Sequence, residues 1–186
     1  DPQQGLNLVE SFDHTFPVNE QLPRQIVVEL LESNPAKKQV TLTVNGKQVG
    51  DTLTDNSHTD DGYRFHDVFH FTCMGILGWS PIMRGLMKRK RKSDRKTDEV
   101  EDGGRAQVIE EGIAAFVYSY AHDHNWLDGV TTIDYEVLQT ITRMVKHLEV
   151  ARCSQGDWEK VIIKSYGLWK IAKEDKKIKL YVVLDK

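Results

Sequence analysis

Hydrophobic positions change their spacing several times along this chain, and each change predicts an element. Leu6, Val9 and Phe12 recur at helical spacing, enough for a turn or two of amphipathic helix before Pro17 and Pro23 end it. From Gln25 the run QIVVELL is rich in β-branched residues, and Val40, Leu42 and Val44 alternate with Thr41 and Thr43. Both segments predict strands, joined by a turn at Ser33–Ala36. Asn45-Gly46 is a two-residue hairpin signal leading into Lys47-Gln48-Val49. Residues 24–50 therefore predict a small antiparallel meander. At the other end, Ile178–Leu184 has strand character again, and pairing it with the meander would complete one sheet.

Between these strands the period lengthens to that of a helix. Asp51–Gly62 is a loop of Asp, Asn, Ser and Thr, residues that bond local backbone and stop regular structure. Asp60 or Asp61 is expected to cap the first long helix, whose apolar positions are Phe65, Val68, Phe69, Thr72, Cys73 and Ile76, with Gly78 as its stop. Ser80-Pro81 predicts the next start, a serine cap followed by proline at the first helical position. Arg105–His122 is apolar around most of its circumference, so it is expected to be buried on most sides. Thr131 or Thr132 is expected to cap a long helix carrying Val137, Leu138, Ile141, Met144, Val145, Leu148 and Val150, and Ser154 the last one. The expected fold is α+β and mainly α: a bundle of four or five helices with a small antiparallel sheet. One domain is expected to span all 186 residues, with the helical core at 60–173.

Charge refines this picture locally. The net charge is −3, so no global field favours nucleic acid, which is not expected as a partner. Basic character is concentrated in Lys88, Arg89, Lys90, Arg91 and Lys92, with no aromatic residue interleaved to stack bases. Cys73 and Cys153 sit in apolar helical patterns and suit reduced core positions. No apolar run approaches the ~20 residues needed to span a membrane. The opening residues also lack a basic-then-apolar leader pattern. A cytoplasmic protein is the expectation.

Candidate chemistry lies where titratable groups interrupt apolar helices, because burying them is costly unless they are paired or metal-bound. His66 and His70 are four apart and share one helical stripe, and Asp67 can reach the same neighbourhood. Glu110 and Glu111 interrupt the most apolar helix, beside Gly112. Carboxylates on facing helices make oxygen-rich sites for Mg²⁺ or Mn²⁺. The plainer alternative is that negative charge early in a helix complements its dipole. Asp98, Glu99, Glu101 and Asp102 form a third cluster, with Glu99 and Asp102 spaced for one helical face. The five basic residues and Arg105 are candidates for holding phosphate oxygens, and a solvated helix end is the alternative.

The stretches DDGYRFHDVFHFTCMGILGWSP, KRKRKSD, DEVEDGGRAQVIEEGIAAFVYSYA and VNGKQVGDTLTDN resemble bacterial members of the MazG-like, all-α nucleoside triphosphate pyrophosphohydrolases. That resemblance covers most of the chain. It implies a helical bundle, Mg²⁺, cleavage of an NTP or dNTP between the α- and β-phosphates, and often an oligomer. The family's usual motif is a Glu-x-x-Glu helix followed by a Glu-x-x-Asp helix. In this chain Glu99-x-x-Asp102 precedes Glu110-Glu111, and the His-Asp-x-x-His helix has no counterpart in that motif. The expected catalytic set is Glu110, Glu111, Asp67, His66 and His70, and the expected metal ligands are Glu110, Glu111, Asp67, Glu99 and Asp102. Two other functions are carried beside this one. His66-Asp67 also resembles the start of an HD-type metal-dependent phosphohydrolase site, and the scaffold would also serve a non-catalytic subunit that senses nucleotides or a protein partner.

Overall fold

The computed structural model describes residues 10–184. Four strands form one antiparallel sheet: β1 (Gln25–Asn34), β2 (Gln39–Val44), β3 (Lys47–Gln48) and β4 (Lys177–Val183), in the order β3-β2-β1-β4. The two ends of the sequence thus meet at the β1–β4 pair, as the alternation predicts. Register explains why. Leu30 stands opposite Leu42 on one side and Ile178 on the other, and Val28 opposite Val44 and Leu180. With a side-chain period of two, this puts Ile26, Val28, Leu30, Val40, Leu42, Ile178, Leu180 and Val182 on one buried face. Asn45 and Gly46 both take positive φ, 49° and 77°, as the two-residue hairpin turn requires.

The buried face rests on helices. These are α1 (Asp67–Leu77), α2 (Pro81–Leu86), α3 (Arg95–Val100), α4 (Gly104–Asp123), α5 (Tyr135–Val145) and α6 (Gln155–Asp175). α1 is the central one: ten of its eleven residues are buried, and it packs against α6, α4 and β4. Trp79, just past α1, meets Trp158 of α6 edge to face at 6.1 Å. Ser80 caps α2 by accepting from the Met83 amide, and Ser154 with Asp157 forms a complete capping box on α6. Among the described residues no helix is long and apolar enough to cross a membrane.

Three expectations are corrected. The first long helix starts at Asp67 and not near Asp60 or Asp61; a 3-10 turn at Tyr63–Phe65 comes first. The two aspartates have other work. Asp60 joins Asp55 and Glu32 around the buried Arg64 guanidinium at 2.7, 2.8 and 2.9 Å, while Asp61 accepts from the Tyr63 amide. Likewise α5 begins after Asp134, beyond Thr131 and Thr132, and ends at Val145; Val150 belongs to a separate 3-10 turn, Glu149–Arg152. Near the N-terminus, Leu6 and Val9 lie outside the described residues, and Phe12 sits in a turn under the Arg152 guanidinium.

The junction of α3 and α4 is tight. A Cβ placed on Gly103 would lie 2.1 Å from the Glu99 carbonyl oxygen, so only glycine fits between the two helices as they stand.

Candidate functional site

The start of α1 and the second turn of α4 bring five predicted residues together. The Tyr63–Phe65 turn fixes the first of them: the Tyr63 carbonyl accepts from His66 Nδ1 at 2.8 Å, and the two rings stack at 4.3 Å. One turn on, His70 is fully buried, and its Nδ1 bonds Glu110 Oε1 at 2.8 Å. Glu110 is also fully buried. Its Oε1 accepts from Ser80 Oγ at 2.7 Å and its Oε2 from the Ile82 amide at 2.9 Å. Both oxygens of Glu110 are therefore engaged, tying α4 to the N-terminus of α2 and orienting His70.

The other nitrogen of each imidazole points to a different set of groups. His70 Nε2 is buried and meets Glu111 Oε2 at 3.4 Å, a long ion-pair contact and not a well-formed hydrogen bond. His66 Nε2 lies 3.7 Å from Asp67 Oδ1 and 4.0 Å from Glu111 Oε2. One ligand-capable atom from each of His66, Asp67 and His70 falls within 4.8 Å of the others. Glu111 is 44% exposed at its side chain, so the cluster opens outward through it.

The electrostatics follow from this packing. Burial alone would lower the His70 pKa, but the Glu110 charge, hydrogen bonds to Glu110 and Glu111, and the Asp67 charge outweigh it and push it up to about 10. Burial raises Glu111, yet its bond to His70 and the His70 and His66 charges hold it below the usual glutamate value. Tyr63 is pushed up to about 12, by burial first and then by Glu111, Asp67 and Asp61. Burial, with Glu110 nearby, also raises the Cys73 thiol, which makes it a poor nucleophile.

His66, Asp67 and Glu111 line a cleft of about 380 Å³. Its apolar wall is built by Leu42, Val49, Leu53, Ile82 and Leu86, with Gln107 at the rim, and none of its lining residues is a lysine or arginine. The contribution of β2 and the loop after β3 was invisible in sequence, because nothing in a local pattern says which helix a hairpin will cover. A larger, mainly apolar groove of about 820 Å³ runs between α1, α6 and β4 and holds none of the five clustered groups.

The remaining candidates lie elsewhere. Arg91 is buried and bonds Asp102 at 2.7 Å and Glu149 at 2.7 Å. Asp102, with no exposed surface, also accepts from the Arg91 amide at 2.7 Å and lies 3.7 Å from Arg84. Its oxygens thus face two guanidinium groups and not the histidines, which corrects its expected metal role. Glu99 is largely exposed and pairs with Arg95 at 3.3 Å, away from the cluster. Within the basic run, Arg89 bonds the Val18 carbonyl, Lys90 pairs with Asp98, and Lys88 and Lys92 are exposed. Arg105 is exposed as well. None of these six basic residues lines the cleft. Asp13 and Arg84, which sequence gave no reason to single out, pair at 2.8 Å inside the same network as Arg91.

Two imidazoles and the Asp67 carboxylate within 4.8 Å of one another, with Glu111 beside both imidazoles, make a donor set suited to a divalent cation. A model of the MazG C-terminal domain matches residues 7–186. The chain belongs to this MazG-like family, which relates it to nucleotide pyrophosphohydrolases. No curated protein and no solved structure matches it.

Proposed function

We propose that the chain is a metal-dependent nucleotide pyrophosphohydrolase that converts an NTP or dNTP to the monophosphate and pyrophosphate. The observation that carries this reading is the placement of Asp67 and Glu111, backed by two histidines, in the lining of a cleft with an apolar wall. Such a wall suits the flat face of a nucleobase. A triphosphate brings several negative charges, and among the described residues no basic side chain lines the cleft to meet them. Only a bound cation at the cluster supplies that charge, which is why the reading requires metal. A divalent ion there, Mg²⁺ or Mn²⁺, would polarise the phosphate and activate water.

The chain's own contribution is positioning. Glu110 fixes the His70 ring, the Tyr63 carbonyl fixes the His66 ring, and the ion pair with His70 keeps Glu111 ionised and able to accept a proton or hold a cation. Leu42, Val49 and Leu86 keep water from one side of the cleft.

The test is turnover of a panel of ribo- and deoxyribonucleoside triphosphates with Mg²⁺ or Mn²⁺, with products separated. Monophosphate and pyrophosphate are the expected pair. Orthophosphate or nucleoside as product would transfer the site to the HD-type phosphohydrolases, and absence of turnover with every nucleotide and either ion would leave a nucleotide-sensing or partner-binding subunit.

A further inference from the structure

We infer that His66, Asp67, His70 and Glu111 form a single-ion site that selects a nitrogen-accepting divalent transition ion, of the Mn²⁺–Co²⁺–Zn²⁺ class, over Mg²⁺. This deepens the reading above and rests on it for the site's use, not for its existence. Both histidines spend Nδ1 on a fixed acceptor, Tyr63 O in one case and Glu110 Oε1 in the other, each at 2.8 Å. An ion that displaces the Nε2 proton meets the lone pair there, and both Nε2 atoms face Glu111 Oε2, at 4.0 and 3.4 Å. A carboxylate or backbone oxygen behind a histidine is how proteins orient imidazole ligands. Around a tetrahedral ion with bonds of ~2.1 Å, neighbouring ligands stand about 3.4 Å apart. The His70–Glu111 pair at 3.4 Å already meets that, while the pairs at 3.7 and 4.0 Å, and the His66, Asp67 and His70 atoms that lie within 4.8 Å of one another, draw in on the ion.

The donor set decides the ion. Mg²⁺ demands oxygen ligands in a near-octahedral shell and retains water, so two imidazoles in four ligands suit it poorly. Affinity of mixed nitrogen and oxygen sites rises from Mn²⁺ through Co²⁺. The fully buried His70 Nε2 has only a long 3.4 Å contact to Glu111 Oε2, and such an ion would replace it with a direct bond.

The experiment is titration of the purified full chain with Co²⁺, followed by visible absorption, with Zn²⁺, Mn²⁺ and Mg²⁺ as competitors. One Co²⁺ per chain is expected, with Mg²⁺ at least ~100-fold weaker as a competitor than Mn²⁺ or Zn²⁺. His66→Gln and His70→Gln should each weaken Co²⁺ by ~100-fold, and Glu110→Gln, which acts through His70, by ~10–100-fold. Circular dichroism checks folding. If His70→Gln does not fold, His66→Gln and Glu111→Gln carry the test, since both positions have some exposed side-chain surface. Mg²⁺ competing on a par with Mn²⁺, or His66→Gln binding Co²⁺ like the native chain, would overturn the inference. Tight Co²⁺ binding without nucleotide turnover upholds the site and removes the pyrophosphohydrolase reading; Mg²⁺-supported turnover untouched by His66→Gln does the reverse.

Discussion

Two buried clusters of charge face different fates in this molecule. Around Arg84 and Arg91, the carboxylates of Asp13, Asp102 and Glu149 close on the guanidinium groups at 2.7 to 2.8 Å. Arg84 further bonds the Glu20 carbonyl and Arg91 the Phe12 carbonyl, so this network pins the N-terminal segment onto α2 and the 3-10 turn after α5. Around His70, in contrast, the outer nitrogen has only a long 3.4 Å contact to one carboxylate, Glu111, which lines a cleft. The first cluster balances fixed cations against anions and has nothing left to offer a ligand. The second has acceptors in excess of donors on its open side. Incomplete satisfaction, more than burial or charge alone, separates a site from a structural network.

The largest effect should come from breaking the first cluster. Arg91→Ala leaves Asp102 buried and without its main partner, and a loss of about 3–5 kcal/mol is expected by urea denaturation. A loss under ~1 kcal/mol would mean that water or Arg84 takes over, and the contrast between the clusters would weaken.

Breaking the second cluster should cost activity and not stability. Glu111→Gln is expected to lower nucleotide turnover by ~100-fold or more while leaving the fold intact. Mn²⁺ is expected to raise the melting temperature of the native chain, since an ion that binds only the folded state stabilises it, and Glu111→Gln should abolish that rise. Equal Mn²⁺ shifts in both proteins would take Glu111 out of the site.

A smaller effect is pH-dependent. Burial raises the Asp13 pKa, but bonds from the Leu22 amide and Arg24, and the Arg84 charge, more than offset this and hold it below the usual aspartate value. A carboxyl with a depressed folded pKa contributes stability above its unfolded pKa and loses it as pH falls through the folded value. The melting-temperature gap between the native chain and Asp13→Asn should therefore be full at pH 6–7 and shrink below about pH 4. A constant gap down to pH 2 would show that the pairing does not set the acid limb. Smallest of all, Lys88→Ala and Lys92→Ala change exposed side chains and should alter stability by no more than ~0.5 kcal/mol and turnover not measurably.

These two clusters also show what was legible in the sequence. That the C-terminal strand joins the N-terminal meander in one sheet was legible, because neither part buries enough surface alone; that β1 would be the strand shared by β2 and β4 was not. The approach of His66, Asp67 and His70 to Glu110 and Glu111 was legible too, since titratable groups in apolar helices must find one another or water. The partners of Arg91 were not. A run of five basic residues reads as a solvated or phosphate-binding patch, yet one of the five, Arg91, turns inward because Asp102 and Glu149 wait there, and Glu149 lies 58 residues away in the sequence. Nor could spacing tell Glu110 from Glu111. Their roles divide because adjacent helical residues diverge by about 100°, which sends one toward Ser80 and the other into the cleft.

Gly103 stands between these two clusters in the sequence, and its missing methyl group has a reach greater than its size. Asp102 on one side is clamped by Arg91, and α4 begins on the other with Gly104. A methyl at 103 would press on the Glu99 carbonyl, and with Asp102 held fast the displacement would pass into α4. Two turns along, that tilt arrives at Glu110 and Glu111. The joint therefore behaves as a fulcrum: alanine there would detune the geometry of a cleft it never touches.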